Sequence, residues 1–437
     1  MSTSASSSPL WLAGFAHADI TPREPMWMGG YGARKKPSEG VAYPLMAKAA
    51  LFQRPGGLPA LILSVDLIGV DKPFAETVFE GIAAQTGIPR QRVIINASHT
   101  HAGPVFGLDY PRVYDQDPHT GAVARYNAFL RERLIQVAVQ AKASLAPASL
   151  SWGTGSAPFA MNRRKPTPGG VVNAPNPRGY VDRSVPVLRV LASDGRPRAA
   201  LFGYACHNTT VGPDNYGFSS EYAGFAQRLV ESRLRVHAQF IMGCGASANP
   251  YPRGTFNLCR QHGESLGAEV CRLWDQELAP VAGPLNIAFD HVDLPIEPPP
   301  APPQLDALRA ASPSEAAIAG KIQKLLDSGR PWATRYTTPL AVWQFGQDLT
   351  LVRLSAEVIG EYIPLIERAL GPLNLWIAAY CDDYFGYLPT AQAHDDGGYE
   401  ARDFITGCGF LAREVETVVL DKLRVLARKA GRISPAL

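Results

Sequence analysis

Val93-Ile94-Ile95-Asn96-Ala97-Ser98-His99-Thr100-His101-Ala102-Gly103-Pro104 is an apolar run that delivers two histidines, one residue apart, into a Gly-Pro turn. Val93 to Ala97 reads as a buried strand, and a period of two places the His99 and His101 side chains on one face at its C-terminal end. Such a pair can serve a metal or a polarised carbonyl. A single histidine is the ordinary satisfied polar residue of a core or turn. A second one aligned with it, where α/β sheets place their sites, makes the rest of the chain worth searching for partners.

Strands and helices alternate around this run. Leu61 to Val65 predicts a strand, Pro73 to Gln85 a helix, and a long helix from about Ala122 to Leu145 follows the histidine strand. Pro186 to Leu191 and Ala199 to Ala205 are strand-like about Ser193-Asp194-Gly195-Arg196, a turn sequence that predicts a hairpin. Glu221 to Leu234 predicts a helix, Gln239 to Met242 a strand and Gly263 to Leu278 a helix. The fold class is therefore α/β, a mixed β-sheet core flanked by helices, with a metal site expected at converging strand ends.

Pro295 to Pro303, which contains Glu297-Pro298-Pro299-Pro300, cannot be helix or central strand and predicts an extended connector. The same grammar resumes beyond it: a helix over Gln304 to Asp327, a hairpin of Pro339 to Trp343 with Asp348 to Leu354 around Gly346-Gln347, a helix from Val358 to Leu370, a strand from Leu373 to Ala379, and a closing amphipathic helix from Phe410 to Lys429. Residues 11–437 are accordingly read as one domain, after a disordered tail at 1–10.

The 437 residues are 46 % hydrophobic and 19 % charged, with a net charge of +3 spread without long basic runs, so nucleic acid is not expected as a partner. The expected partner is a small-molecule substrate, with homo-oligomers possible. No apolar stretch reaches the roughly 18 to 20 residues that span a bilayer. Met1 to Pro9 is Ser-rich without Lys or Arg, unlike the n-region of a signal peptide, which predicts a cytoplasmic protein. Cys206, Cys244, Cys259, Cys271, Cys381 and Cys408 form no C-x-x-C pair, which argues against a zinc ribbon and for buried thiols.

Four further segments end an apolar strand directly in polar residues. Leu201 to Cys206 leads to His207-Asn208-Thr209-Thr210, Phe240 to Met242 to Gly243-Cys244-Gly245-Ala246-Ser247-Ala248-Asn249-Pro250, Leu349 to Leu354 to Ser355-Ala356-Glu357, and Leu373 to Ala379 to Cys381-Asp382-Asp383-Tyr384-Phe385-Gly386-Tyr387. An α/β sheet brings such ends to one edge. Three nitrogen or carboxylate ligands with an open position make a catalytic zinc site, and His99, His207 and Glu357 supply that set. A metallo-β-lactamase-like site would continue the histidines with Asp-His, where Ala102-Gly103 stand. A serine hydrolase would need G-x-S-x-G, which Gly245-Ala246-Ser247-Ala248-Asn249 fails at its last position.

These residues carry a resemblance to the neutral/alkaline (non-lysosomal) ceramidase family of zinc-dependent amidohydrolases. Ala13-Gly14-Phe15-Ala16-His17-Ala18-Asp19-Ile20-Thr21 and Met28-Gly29-Gly30-Tyr31 are similar to that family's opening. Ser98-His99-Thr100-His101-Ala102-Gly103-Pro104 resembles its T-H-T-H-S-G-P motif. Tyr384-Phe385-Gly386-Tyr387-Leu388-Pro389-Thr390, continued to Gly398-Tyr399-Glu400, resembles its late tyrosine motif, with the same twelve-residue step between two tyrosines. The resemblance implies a Zn2+ held by His99, His207, Glu357 and the hydroxyl of Tyr387. It implies catalytic roles for His101 and Tyr399, facing the substrate carbonyl and its oxyanion, and an arginine lining the substrate channel at Arg163. Asp66 falls where the family also has an acid, and is expected to support a ligating histidine.

The chain departs from the family pattern at Asn249, which precedes Pro250 where ceramidases carry a serine. An amide cannot act as a nucleophile, so Asn249 is expected to bind substrate while zinc-activated water attacks. The chain also ends at Leu437, just after the closing helix, which predicts a catalytic domain without the family's C-terminal immunoglobulin-like domain. The expected function is hydrolysis of an amide, lactam or ester bond of a small acylated metabolite. The alternatives are a ceramidase proper or a degenerate zinc-containing binding protein.

Overall fold

Eight strands build the main sheet: β1 (Trp11–Asp19), β2 (Met46–Gln53), β3 (Ala60–Val65), β4 (Val93–Ala97), β5 (Ala146–Ser156), β6 (Ser184–Ala192), β7 (Pro197–Tyr204) and β8 (His237–Met242). Their order is β8-β7-β6-β5-β1-β2-β3-β4, with a two-residue strand at Ala279–Pro280 added beside β5. The pairs β3–β4 and β7–β8 are parallel and the others antiparallel, as a mixed sheet requires. The computed structural model describes residues 11–107, 120–311, 313–402 and 409–433. The tail expected at 1–10 and Cys408 lie outside them.

Period-two burial places a core on each face of the sheet. Leu61, Leu63 and Val65 of β3 belong to the core under helices α1 (Lys72–Thr86), α2 (Thr120–Ala143), α3 (Glu221–Leu234) and α4 (Phe256–Trp274). Ile62, Ile94, Leu201 and Ile241 face the other way, onto Trp343, Leu351 and Trp376 of a second sheet. That sheet is β9 (Leu285–Pro295), β10 (Arg335–Phe345), β11 (Leu349–Arg353) and β12 (Leu375–Ala378), whose last pair is again parallel. Burial on both faces explains why these strands read as continuous apolar runs.

Two buried amides tie distant strands of the main sheet together. Asn96 Nδ2 donates to Met242 O at 3.2 Å and Ala379 O at 2.6 Å, while Met242 N donates to Asn96 Oδ1 at 2.8 Å. Gln239 Nε2 donates to Ile62 O and Ser64 Oγ. These bonds satisfy polar groups that would otherwise be costly in a dry interior, and they bring the ends of β4, β8 and β12 into one place.

Several expected boundaries shift. The histidine strand does span Val93 to Ala97 as expected, but His99 is left-handed at φ 60, so the two histidines leave a turn and do not share a pleated strand face. Helix α4 begins at Phe256, capped by Thr255 on Leu258 N, well before Gly263. Gly263 and Gly267 lie inside it, because a Cβ at either would meet the α3 backbone, 2.6 Å from Tyr222 O and 2.9 Å from Ala226 O. The extended connector gives way to α5 (Pro302–Ala311), followed by α6 (Pro313–Asp327), where one helix was expected. Val358 belongs to a short strand, and the helix there is α7 (Tyr362–Leu370). The closing helix α8 is Val415–Ala430. The hairpin about Ser193 to Arg196 forms as expected, and the five described cysteines are buried and unpaired. No described helix is long and apolar enough to cross a membrane.

Candidate active site

The site is assembled from the loops that follow three parallel strand pairs, and each pair uses one design. His99 follows β4, and its Nδ1 donates to the carbonyl of Ile68, from the loop after β3, at 2.5 Å. His207 follows β7, and its Nδ1 donates to the carbonyl of Gly245, from the loop after β8, at 2.8 Å. Glu357 follows β11, and its Oε1 accepts from Tyr384, from the loop after β12, at 2.7 Å. In every case one loop supplies a donor atom and its parallel neighbour fixes that side chain's orientation.

A carbonyl only accepts, so the Nδ1 atoms of His99 and His207 carry protons and both Nε2 atoms turn inward. They meet one carboxylate oxygen: Glu357 Oε2 is 3.3 Å from His99 Nε2 and 3.1 Å from His207 Nε2. Burial, and then the Arg163 charge, lower the His207 pKa to about 3, so its ring is neutral. Burial pushes Glu357 up, but His99 and His207 outweigh it and hold the carboxyl well below its ordinary range. Two imidazole nitrogens, each within 3.3 Å of one carboxylate oxygen, are the donor set of a zinc-class divalent ion. The chain's residues fit such an ion.

His101 adds a third imidazole. Its Nε2 lies 3.0 Å from His99 Nε2, and the ligand atoms of His99, His101 and His207 are mutually within 4.8 Å. Two triads therefore overlap on His99 and His207, completed by Glu357 or by His101. They differ in support, because His101 Nδ1 is buried without a hydrogen-bond partner and no carbonyl fixes its tautomer. Tyr31 packs on the His101 ring at 5.0 Å, and Gly30 at φ +92 passes so close that a Cβ there would fall 2.4 Å from it.

Arg163 lies at the centre of the site, 4 % exposed, where a channel-lining cation was expected. Its Nη1 donates to His207 Nε2 at 3.0 Å and to Asn249 Oδ1 at 3.4 Å, its Nη2 to the Tyr387 hydroxyl at 3.1 Å, and its Nε to Glu400 at 3.3 Å. Glu400 also accepts from Arg164 at 2.6 Å. Tyr387 is the Cα partner of Glu357 in a two-strand parallel pairing, which brings two of the expected ligands side by side. Tyr399 stands at the rim, 41 % exposed, its ring centroid 5.5 Å from that of Tyr387, and accepts from Asn173 at 3.2 Å.

Asp66 does not orient a ligating histidine. Its carboxylate accepts from Met46 N at 2.9 Å, and the supporting role at His99 belongs to the Ile68 carbonyl. Ile68 and Gly245 act through backbone atoms, which leave no trace in side-chain patterns. Tyr384 and Glu400 sit inside the quoted tyrosine motif but were given no role. Asn173 lies on a Gly-rich hairpin of Arg164–Thr167 and Gly170–Asn173, with no motif of its own.

Residues 11–295 match the family model described as neutral/alkaline non-lysosomal ceramidase, N-terminal. Neutral ceramidase B from Dictyostelium discoideum is 22 % identical over 223 residues, which are 47 % of this chain and 29 % of that protein. The fold resembles the crystal structure of a neutral ceramidase from Pseudomonas aeruginosa, with a TM-score of 0.73 at 19 % identity, covering 98 % of this chain and 77 % of that one. It equally resembles a ceramidase complexed with C2, with a TM-score of 0.72 at 18 % identity, covering 99 % and 77 %. Because that family model covers well over half of its residues, the chain belongs to the neutral/alkaline non-lysosomal ceramidase family.

Proposed function

We propose that the chain is a zinc-dependent hydrolase of an amide, lactam or ester bond in a small acylated molecule. The observation that carries this reading is the convergence of two carbonyl-pinned imidazole nitrogens on the Glu357 carboxylate. Tyr387 would complete the ligand set, as the neighbour of Glu357 in the strand pairing. A zinc ion held by these residues would supply Lewis-acid polarisation of a carbonyl and would lower the pKa of water to about 7.

The chain's own groups account for the rest. Burial, then the neighbouring His99 and His207, hold His101 well below the ordinary histidine pKa, so its ring is neutral in the resting site. Its Nε2, 3.0 Å from His99 Nε2, is the ring atom that faces the site and would take a proton from water and return it to the leaving group. Arg163 and the Tyr399 hydroxyl supply hydrogen bonds to the oxyanion. The Asn249 carboxamide has no nucleophilic role and leaves attack to water.

A ceramide substrate is the second reading, favoured by the family match over 11–295. Asn249 weighs against it, since its amide already engages Arg163, Thr209 and Asn173. The test is hydrolysis of a panel of short N-acyl amides, lactams, esters and ceramide by zinc-replete protein, with and without a chelator. Chelator-sensitive cleavage of a short acyl compound supports the reading. A panel untouched by zinc-replete protein contradicts it.

A further inference from the structure

We propose that Asn249 and Asn173 are positioning residues: they form a one-way hydrogen-bond relay that keeps the Tyr399 hydroxyl proton free for a substrate oxyanion. This rests on the hydrolytic reading of the site. The direction of the relay is set at its root. A guanidinium only donates, so the Asn249 atom 3.4 Å from Arg163 Nη1 must be the carbonyl Oδ1, which then also accepts from the Thr209 hydroxyl at 3.3 Å. The Asn249 Nδ2 then turns to Asn173 and donates to its Oδ1 at 3.4 Å. That orientation leaves Asn173 Nδ2 to donate to the Tyr399 oxygen at 3.2 Å.

A second branch leaves the same guanidinium. Arg163 Nη2 donates to the Tyr387 hydroxyl, which hydrogen-bonds Tyr399 in turn. With the Tyr387 oxygen accepting from arginine and, in the hydrolytic reading, turned to the zinc, its proton is what it has left to offer Tyr399. The Tyr399 oxygen therefore accepts from both branches, and neither consumes its proton. A carboxamide suits position 249 because it carries an acceptor and a donor on one rigid plane, so it passes the direction on.

The relay is mechanically braced. Asn173 ends the strand Gly170–Asn173, and its hairpin partner begins at Arg164. The Arg164 guanidinium donates to Glu400 at 2.6 Å and to Gly397 O at 2.7 Å, on either side of Tyr399. The hairpin and the tyrosine are thus fixed to one another.

The test compares two ligands of zinc-loaded protein, acetohydroxamate, a planar chelator, and methylphosphonate, which presents tetrahedral anionic oxygens. In Asn249→Asp the carboxylate still accepts from Arg163 but cannot donate, so Asn173 must flip and present its Oδ1 to Tyr399, taking up the proton. Methylphosphonate affinity is expected to fall about 10-fold relative to acetohydroxamate. Asn173→Leu cuts the relay without adding charge and is expected to lower the same ratio about 3-fold. An unchanged ratio in both variants, or an equal loss of both ligands in Asn249→Asp, would overturn the relay. Wild-type protein that retains zinc but binds neither ligand would instead overturn the hydrolytic reading, and the relay with it.

Discussion

His207 and Glu357, 150 residues apart in sequence, stand 3.1 Å from Nε2 to Oε2, and each is oriented by a loop from the neighbouring parallel strand. The contact joins the two sheets at the edge where their parallel strands end. A buried neutral imidazole and a buried carboxylate gain little from facing each other alone, and a shared divalent ion is what makes their juxtaposition favourable.

If that ion binds as proposed, His99→Ala, His207→Ala and Glu357→Gln should each lose most of the bound zinc. Tyr384→Phe removes only the hydroxyl that holds Glu357 Oε1 and should weaken zinc about 10-fold, the usual effect of a supporting group. Competition with a chelator of known affinity measures both. A Tyr384→Phe protein with wild-type zinc affinity would detach Tyr384 from the site.

His101→Ala should retain zinc and lose about 10² to 10⁴ in turnover, the range expected of a proton-transfer group. Gly30→Ala should reproduce part of that loss, since its Cβ would displace the His101 ring and the φ of +92 disfavours alanine. Zinc content and kcat measured on the same preparations decide the matter. A metal-free His101→Ala protein would assign the third ligand position to His101.

Much of the site is legible in the amino-acid sequence. Apolar strands ending in His99, His207 and Glu357 give the converging edge, because strands buried on both faces leave unbroken hydrophobic runs that stop where the loops begin. Less legible was anything that acts through backbone. The Ile68 and Gly245 carbonyls orient both histidines, and the left-handed φ of His99 replaces the strand pleat that would have aligned His99 with His101. Arg163 reads as a loop cation until Glu400 and the two tyrosines are brought against it. No strand was expected over Met46–Gln53, where Lys48 interrupts the apolar pattern. Lys48 is nonetheless buried, because Glu231 and the Ala238 carbonyl take its ammonium.

Asp66 offers a pH test apart from the metal. Burial raises its carboxyl from 3.8 to about 6 in the folded protein. The native state therefore binds more protons than the unfolded chain between about pH 4 and 6, so this group makes stability fall as pH rises through that window, and the cost is complete above it. Asp66→Asn keeps an acceptor for Met46 N and should stabilise the protein above pH 6 by up to about 3 kcal/mol, with no gain below pH 4. Denaturant midpoints of both proteins across pH 4 to 8 would show curves that diverge as pH rises, and parallel curves would refute the burial argument.

Position 249 bears on substrate class. The amide divides its hydrogen bonds to Arg163, Thr209 and Asn173 between two atoms, Oδ1 and Nδ2, whereas a serine would have to make all three from one oxygen on a shorter side chain. Little or no ceramide cleavage is expected from the unmodified protein, and only traces of long-chain amidase activity from Asn249→Ser. Robust cleavage of ceramide, abolished by chelator and restored by zinc, would show that the residue does not set the substrate.

The most direct measurement is elemental analysis of protein purified without chelators, paired with anomalous diffraction at the zinc edge. The account predicts about one zinc per chain, with a single anomalous peak within bonding distance of His99 Nε2, His207 Nε2 and Glu357. Protein free of transition metal that also fails to take up zinc, or a peak lying elsewhere in the fold, would contradict it.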